Sequence, residues 1–264
     1  MIATDLDRTL IWEDNVVRAR TLAALARAEE EGLRVVVVTG RMVQSARRVL
    51  EGVPLADGMV CYQGAVVTDG DGGWIHHQPI EVELARDAIA AIEESGFTLN
   101  AYVGDELYVA EATEWAERYA GFQQLHVNAV GRLSTWIAEP PTKLVCVGEP
   151  TELDAFAVQM RARFGDRMWI SKSFPHFLEF ADAGVSKGSG LDHLAERLGF
   201  SPEVTVAFGD AENDVELIEW AGFGVAVGNA HPTITGLADW VCPPAADEGV
   251  AQVIEAVLDR RSAL

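Results

Sequence analysis

The sequence predicts an α/β protein, a doubly wound and mostly parallel sheet interrupted by an inserted α+β domain. Three observations lead to it. Short apolar runs alternate with helix-period segments through the first eighty residues, the rhythm changes near Pro79, and it resumes after about residue 183. The expected division is residues 1–80 with 184–264 as one sheet-based core, and residues 81–183 as the insert.

A first strand opens at Met1-Ile2-Ala3-Thr4. Residues 18–32 follow as a helix, with Leu22, Leu25, Ala26 and Ala28 carrying the period and Gly32 closing it. The run Leu33-Arg34-Val35-Val36-Val37-Val38, rich in β-branched residues, looks like a strand buried on both faces of a parallel sheet. A helix is expected over 42–50 and a third strand over 58–62. Asp69-Gly70-Asp71-Gly72-Gly73 lacks the later ligands and distal Glu of a calcium loop, so it reads as a hairpin turn between 65–67 and 74–76. In the insert, helix 82–94 precedes strands 98–103 and 107–110. After a short helix at 114–119 come strand 143–147, helix 151–164 and strands 168–171 and 177–180. Helix–strand–strand, twice over, predicts an antiparallel sheet. The parallel pattern then returns as helix 187–198, strand 204–208, helix 213–220, strand 224–227 and helix 249–260. No internal repeat interrupts it.

A hydrophobic fraction of 49% with 23% charged residues suits a globular protein, and no stretch reaches the apolar length of a membrane span. The formal net charge of −21 argues against nucleic-acid and anionic-membrane partners, which would repel the chain. An anionic substrate then needs local positive charge. Cys61, Cys146 and Cys242 each lie in an apolar run and are expected as buried thiols. The opening strand leaves no room for a signal peptide, so a cytoplasmic location is the expectation.

Four pieces fall at the end of a predicted parallel strand or in the loop leaving it. They are Asp5-Leu6-Asp7-Arg8-Thr9, Thr39-Gly40-Arg41, Lys187, and Gly209-Asp210-Ala211-Glu212-Asn213-Asp214. That edge of an open α/β sheet is where ligands bind. In an extended strand Asp5 and Asp7 would project to one side, and two like charges there call for a cation or a shared proton. The residue types fit phosphoryl transfer to an aspartate, a reaction catalysed mainly by positioning and charge neutralisation.

This set, in this order, resembles the haloacid dehalogenase superfamily of phosphatases, and most closely its Cof-type branch, whose members carry a large α/β cap between the second and third motifs. The likeness extends to Tyr62-Gln63-Gly64-Ala65, to Gly184-Val185-Ser186-Lys187-Gly188, and to the stretch from Ala221 to Ala230. It implies a Rossmann-type core with the insert as a substrate-specificity cap. It further implies Asp5 as the nucleophile that forms an aspartyl phosphate, and Asp7 as general acid and then general base. Mg²⁺ would be held by Asp5, the backbone carbonyl of Asp7, and Asp210, with Asp214 supporting that shell. A metal bound chiefly by Asp5 would hold its carboxyl lower than that of Asp7. Leu6, Thr39, Gly40, Arg41, Lys187 and Asn213 would cradle the phosphate. The implied substrate is a small phosphorylated metabolite, sugar phosphates first among them. Two residues depart from the family pattern: Arg8 stands where Gly is usual, and Gln63 where Asn is common.

Gly184-Val185-Ser186-Lys187-Gly188 also matches the G-x-S-x-G nucleophile elbow of serine esterases, with Asp210 and His231 following in that fold's order. That reading leaves Asp5, Asp7 and Asn213 without a task. A phosphomutase, returning the phosphoryl group to a sugar, is a rival within the same fold. In the insert, His176 is a possible substrate contact, whereas Trp115, Trp136 and Trp169 read as packing residues.

Overall fold

A computed structural model describes residues 1–262 of the chain. Strand β1 (Ile2–Thr4) leads through α1 (Ala19–Glu30) to β2 (Val35–Val38), then through α2 (Val43–Val49) to β3 (Met59–Cys61). β4 (Val66–Thr68) and β5 (Trp74–His77) follow as the predicted hairpin. The insert runs α3 (Val82–Ser95), β6 (Thr98–Val103), β7 (Glu106–Val109), α4 (Glu114–Gln123), β8 (Val127–Ala129), α5 (Leu133–Trp136), β9 (Lys143–Val147), α6 (Pro150–Phe164), β10 (Met168–Phe174) and β11 (Phe177–Asp182). The chain ends with α7 (Lys187–Leu198), β12 (Val206–Gly209), α8 (Val215–Trp220), β13 (Phe223–Ala226), α9 (Pro232–Leu237), β14 (Trp240–Val241) and α10 (Gly249–Ser262).

Contacts divide the chain into two compact units. One comprises Met1–Gly40, Ala46–His76 and the chain from Ser186 onward; the other comprises Arg41–Ser45 and His77–Val185. The first is built on an eight-stranded sheet in the order β14-β13-β12-β1-β2-β3-β4-β5. All its pairings from β14 to β3 are parallel, and β4 runs antiparallel to β3. Alternate residues serve the two faces. Ala3, Val36, Val38, Val60, Ala207 and Ala226 pack with Leu191, Leu194, Leu217, Ile218 and Ile234, which puts α7, α8 and α9 on one face. On the other, Ile2, Val206 and Phe208 lie against Val253, Ile254 and Val257 of α10. All four valines of β2 are fully buried; each such side chain contributes about 1.5–3 kcal/mol.

The second unit holds a six-stranded sheet, β10-β11-β9-β6-β7-β8, antiparallel except where β8 joins β7 in parallel after the α4 crossover. One face buries Leu99, Ala101, Leu144, Cys146, Leu178 and Phe180 against Ile89 and Ile92 of α3 and Phe156 and Met160 of α6.

Several local expectations change in the structure. β1 stops at Thr4, so Asp5 and Asp7 are not strand neighbours. The chain turns instead, with the Leu6 carbonyl accepting the N–H groups of Leu10 and Ile11. The third strand ends at Cys61 because Tyr62 and Gln63 take φ values of 53° and 61°. The helix expected from Asn213 begins as a 3-10 turn over Glu212–Asp214 and becomes α-helical at Val215. All three cysteines are buried thiols, as expected. Among the described residues no helix is long and apolar enough to cross a membrane.

Candidate active site

The carboxyl ends of β1 and β12 lie side by side, since Ala3 pairs with Ala207 and Thr4 with Phe208. That register brings Asp5 next to Asp210, and the Asp5 N–H donates to the Phe208 carbonyl at 2.9 Å. Asp5, Asp210 and Asp214 are all buried, and one carboxylate oxygen from each lies within 4.8 Å of the others. Lys187, the first residue of α7, reaches into the group. Its Nζ donates to Asp5 Oδ1 and to Asp214 Oδ1, each at 2.5 Å, with only 1% of the side chain exposed.

Asp214 is fully committed. Its other oxygen accepts the backbone N–H groups of Asp210 at 3.0 Å and Ala211 at 3.1 Å, which closes the 3-10 turn and fixes the loop leaving β12. Gly209 permits this, because a Cβ there would lie 2.6 Å from the Asp214 Cβ. Asp210 is held loosely: Thr9 Oγ1 lies 3.5 Å from one oxygen and Arg8 Nε 3.9 Å from the other.

The electrostatics follow from three buried carboxylates around one ammonium. Burial raises the Asp5 carboxyl well above its ordinary value; Lys187 opposes that, while Asp214, Asp210 and Asp7 reinforce it. Burial, then Asp214, pushes Asp210 up to about 7, with Lys187 and Arg8 pulling the other way. Burial alone would lower Lys187, but the charges and hydrogen bonds of Asp214 and Asp5 outweigh it and hold the ammonium above its usual range. The sequence-based expectation of a lowered Asp5 therefore requires a bound cation, because burial and the neighbouring carboxylates together outweigh Lys187. The donor set fits one. Hard carboxylate oxygens with surplus negative charge suit a divalent metal, and Asp5 and Asp210 have oxygens to offer whereas Asp214 does not.

Around this cluster sit Thr39 and Gly40 at the end of β2, and Asn213 in the loop after β12, all in the first unit. Gln63 joins them, a residue the sequence singled out without a task. Its Oε1 accepts from Asn213 Nδ2 at 3.0 Å, and its N–H donates to the Thr39 carbonyl at 3.1 Å. Its side chain also fills the space over Gly40, where a Cβ would meet Gln63 Nε2 at 2.4 Å. Asp7 is half-buried. Arg41 is buried and belongs to the second unit. Thr9 and Asn229 also bear on the site. Both lie in stretches that carried the family resemblance, but nothing local distinguished their side chains.

The serine-elbow alternative does not survive. The Ser186 hydroxyl accepts the Ser189 N–H at 3.0 Å and the Ser189 hydroxyl accepts the Ser186 N–H at 2.9 Å, a reciprocal cap on α7. His231 turns to Thr233, 3.1 Å away, and to Glu212. In the second unit, Trp136 packs on Tyr108 beside the apolar core. Trp115 and His176 instead flank a largely apolar cavity of about 240 Å³, shared with Tyr119, Phe174 and Phe177.

Comparison with known proteins agrees with this geometry. The family model for haloacid dehalogenase-like hydrolases matches residues 2–254. The phosphatase YwpJ of Bacillus subtilis is 26% identical, with 98% of this chain and 99% of that protein covered. The 5-amino-6-(5-phospho-D-ribitylamino)uracil phosphatase YitU of the same organism is 27% identical, covering 97% and 96%. A solved Thermotoga maritima protein superposes with a TM-score of 0.84 at 30% identity, over 97% of this chain and 96% of that one. The chain belongs to the haloacid dehalogenase-like hydrolases, with the large inserted domain of the Cof-type branch, and is an enzyme of the phosphatase type.

Proposed function

We propose that this enzyme is a Mg²⁺-dependent phosphomonoester hydrolase of small phosphorylated metabolites, sugar phosphates first among them, working through an aspartyl phosphate on Asp5. The observation that carries the reading is the Lys187 ammonium, held at 2.5 Å from both Asp5 and Asp214 with Asp210 alongside. Asp5 attacks phosphorus with its free oxygen while Lys187 opposes protonation of that carboxylate, alongside the cation the site would hold, and faces the incoming phosphoryl oxygens. Asp7, nearer to solvent, gives a proton to the leaving oxygen and then takes one from the attacking water. Thr39, Gly40, Asn213 and the backbone N–H of Leu6 orient the phosphoryl group. Gln63 keeps the Asn213 amide in place. Asp5, Asp210 and the Asp7 carbonyl would hold Mg²⁺, whose chemistry is to offset charge on the phosphoryl oxygens.

The name of the ribitylamino-uracil phosphatase supports a phosphorylated sugar-like metabolite as the substrate class. The buried thiols fit a reducing compartment, and a cytoplasmic location belongs to the proposal. Phosphate release from a panel of phosphorylated metabolites, with Mg²⁺ and then with EDTA, tests it. The expected result is release from one substrate class that EDTA abolishes and that needs no bisphosphate activator. Isomerisation of a sugar phosphate that needs such an activator, with no phosphate released, would make the enzyme a mutase, and release unaffected by EDTA would remove the metal from the account.

A further inference from the structure

Arg8 is held beside the carboxylates by three restraints. Its backbone takes a φ of 62°, in the left-handed region that favours glycine. Asn229 fastens it there, donating from Nδ2 to the Arg8 carbonyl at 2.8 Å while its Oδ1 accepts the Ala245 N–H at 2.8 Å. The guanidinium lies over the Trp12 ring, 5.5 Å from its centroid. Nε faces Asp210 from 3.9 Å, beyond hydrogen-bond range, and is buried with no hydrogen-bond partner among the described residues. Some 38% of the side chain remains exposed. Lys187, by contrast, already gives hydrogen bonds to two of the protein's own carboxylates.

We infer that Arg8 is a specificity-determining residue, whose guanidinium recognises a second oxyanion, phosphate or carboxylate, carried by the substrate apart from the phosphoryl group that is transferred. The inference rests on the phosphatase reading of this same site. A guanidinium stacked on an aromatic ring presents its edge as a planar fork of N–H donors, which suits two oxygens of one anionic group. The surroundings require such a group. Asp5, Asp210 and Asp214 gather about the Lys187 ammonium, and the whole chain carries −21. A second anion on the substrate is repelled there unless a local cation meets it, and Arg8 is the cation at that place with donors to give.

Calorimetric titration of the full chain with Mg²⁺ present tests the assignment. Methylphosphonate offers one oxyanion. Diphosphonates with one- and three-carbon spacers add a second phosphonate, while phosphonoacetate and 4-phosphonobutyrate add a carboxylate. None is hydrolysed, so the measurement is independent of turnover. The wild type is expected to bind one of the two-anion series about tenfold or more tighter than methylphosphonate. That ratio should fall to about 1 in Arg8→Gly, which suits the backbone conformation, and be restored only in part by Arg8→Lys, a charge without the fork. The series that shows the preference identifies the second anion. A wild-type ratio near 1, a ratio unchanged in Arg8→Gly, or an equal loss for every ligand overturns the inference. A protein that hydrolyses the metabolite panel yet shows no such ratio loses only the Arg8 assignment; one that hydrolyses nothing loses the phosphatase reading.

Discussion

Asp210 carries a pH signature that follows from its burial. A carboxyl raised from 3.8 to about 7 keeps its proton in the folded chain while the unfolded chain has lost it. Stability from this group is therefore lost as pH rises through that window and is level above it. In EDTA, the wild-type unfolding free energy, from denaturant titration, should fall relative to that of Asp210→Asn between about pH 4 and pH 7, by a difference on the order of a few kcal/mol. Saturating Mg²⁺ should remove the decline, because the ion favours the ionised carboxylate. Parallel profiles for the two proteins in EDTA would contradict the assigned burial. Asp5→Asn makes a second prediction at this scale. It should lower kcat by about a thousandfold or more with the thermal unfolding transition retained, as measured by phosphate release and circular dichroism. The acidic pair itself was legible in the sequence, but its geometry was not. The i, i+2 argument assumed a strand through Asp7, whereas the turn closed on the Leu6 carbonyl begins right after Thr4.

Among the elements, two glycines separate tolerance from intolerance. At Gly40 a Cβ would meet the far end of the Gln63 side chain, which can swing away; at Gly209 it would meet the Asp214 Cβ, which is tied by both carboxylate oxygens. Gly40→Ala should therefore raise KM about tenfold by displacing Gln63 from Asn213, with a stability change under about 1 kcal/mol. Gly209→Ala should destabilise by about 1–3 kcal/mol and weaken the whole cluster. Steady-state kinetics and denaturant titration on the two variants check the contrast, and an equal stability loss in both would refute it. Long periodic elements such as α3, α6 and α7 were readable because each has a buried stripe. β8, α5, α9 and β14 were not. They span two to six residues, and β14 is a sheet edge with exposed Trp240 and Val241, so no burial pattern marks it. Gln63 and Asn229 act through partners 150 and more than 200 residues away, which no local signal encodes.

At the scale of the whole molecule, the site joins the first strand to the strand and loops of the last third of the chain, so cation binding should couple to global stability. Adding Mg²⁺ at a hundredfold excess over Kd should stabilise the folded chain by about 2.7 kcal/mol. Asp5→Asn and Asp210→Asn should abolish most of that gain in a thermal shift experiment, whereas retention of the full shift in both would place the metal elsewhere. The doubly wound core was legible from strand–helix alternation because parallel strands buried on both faces read as unbroken apolar runs. The direct test of the account is chemical. Enzyme quenched in acid during turnover and reduced with borohydride should yield homoserine at position 5, identified by peptide mass spectrometry, because reduction converts an aspartyl phosphate to that alcohol. Unmodified Asp5 under conditions of rapid phosphate release, or homoserine at any other aspartate, would contradict it.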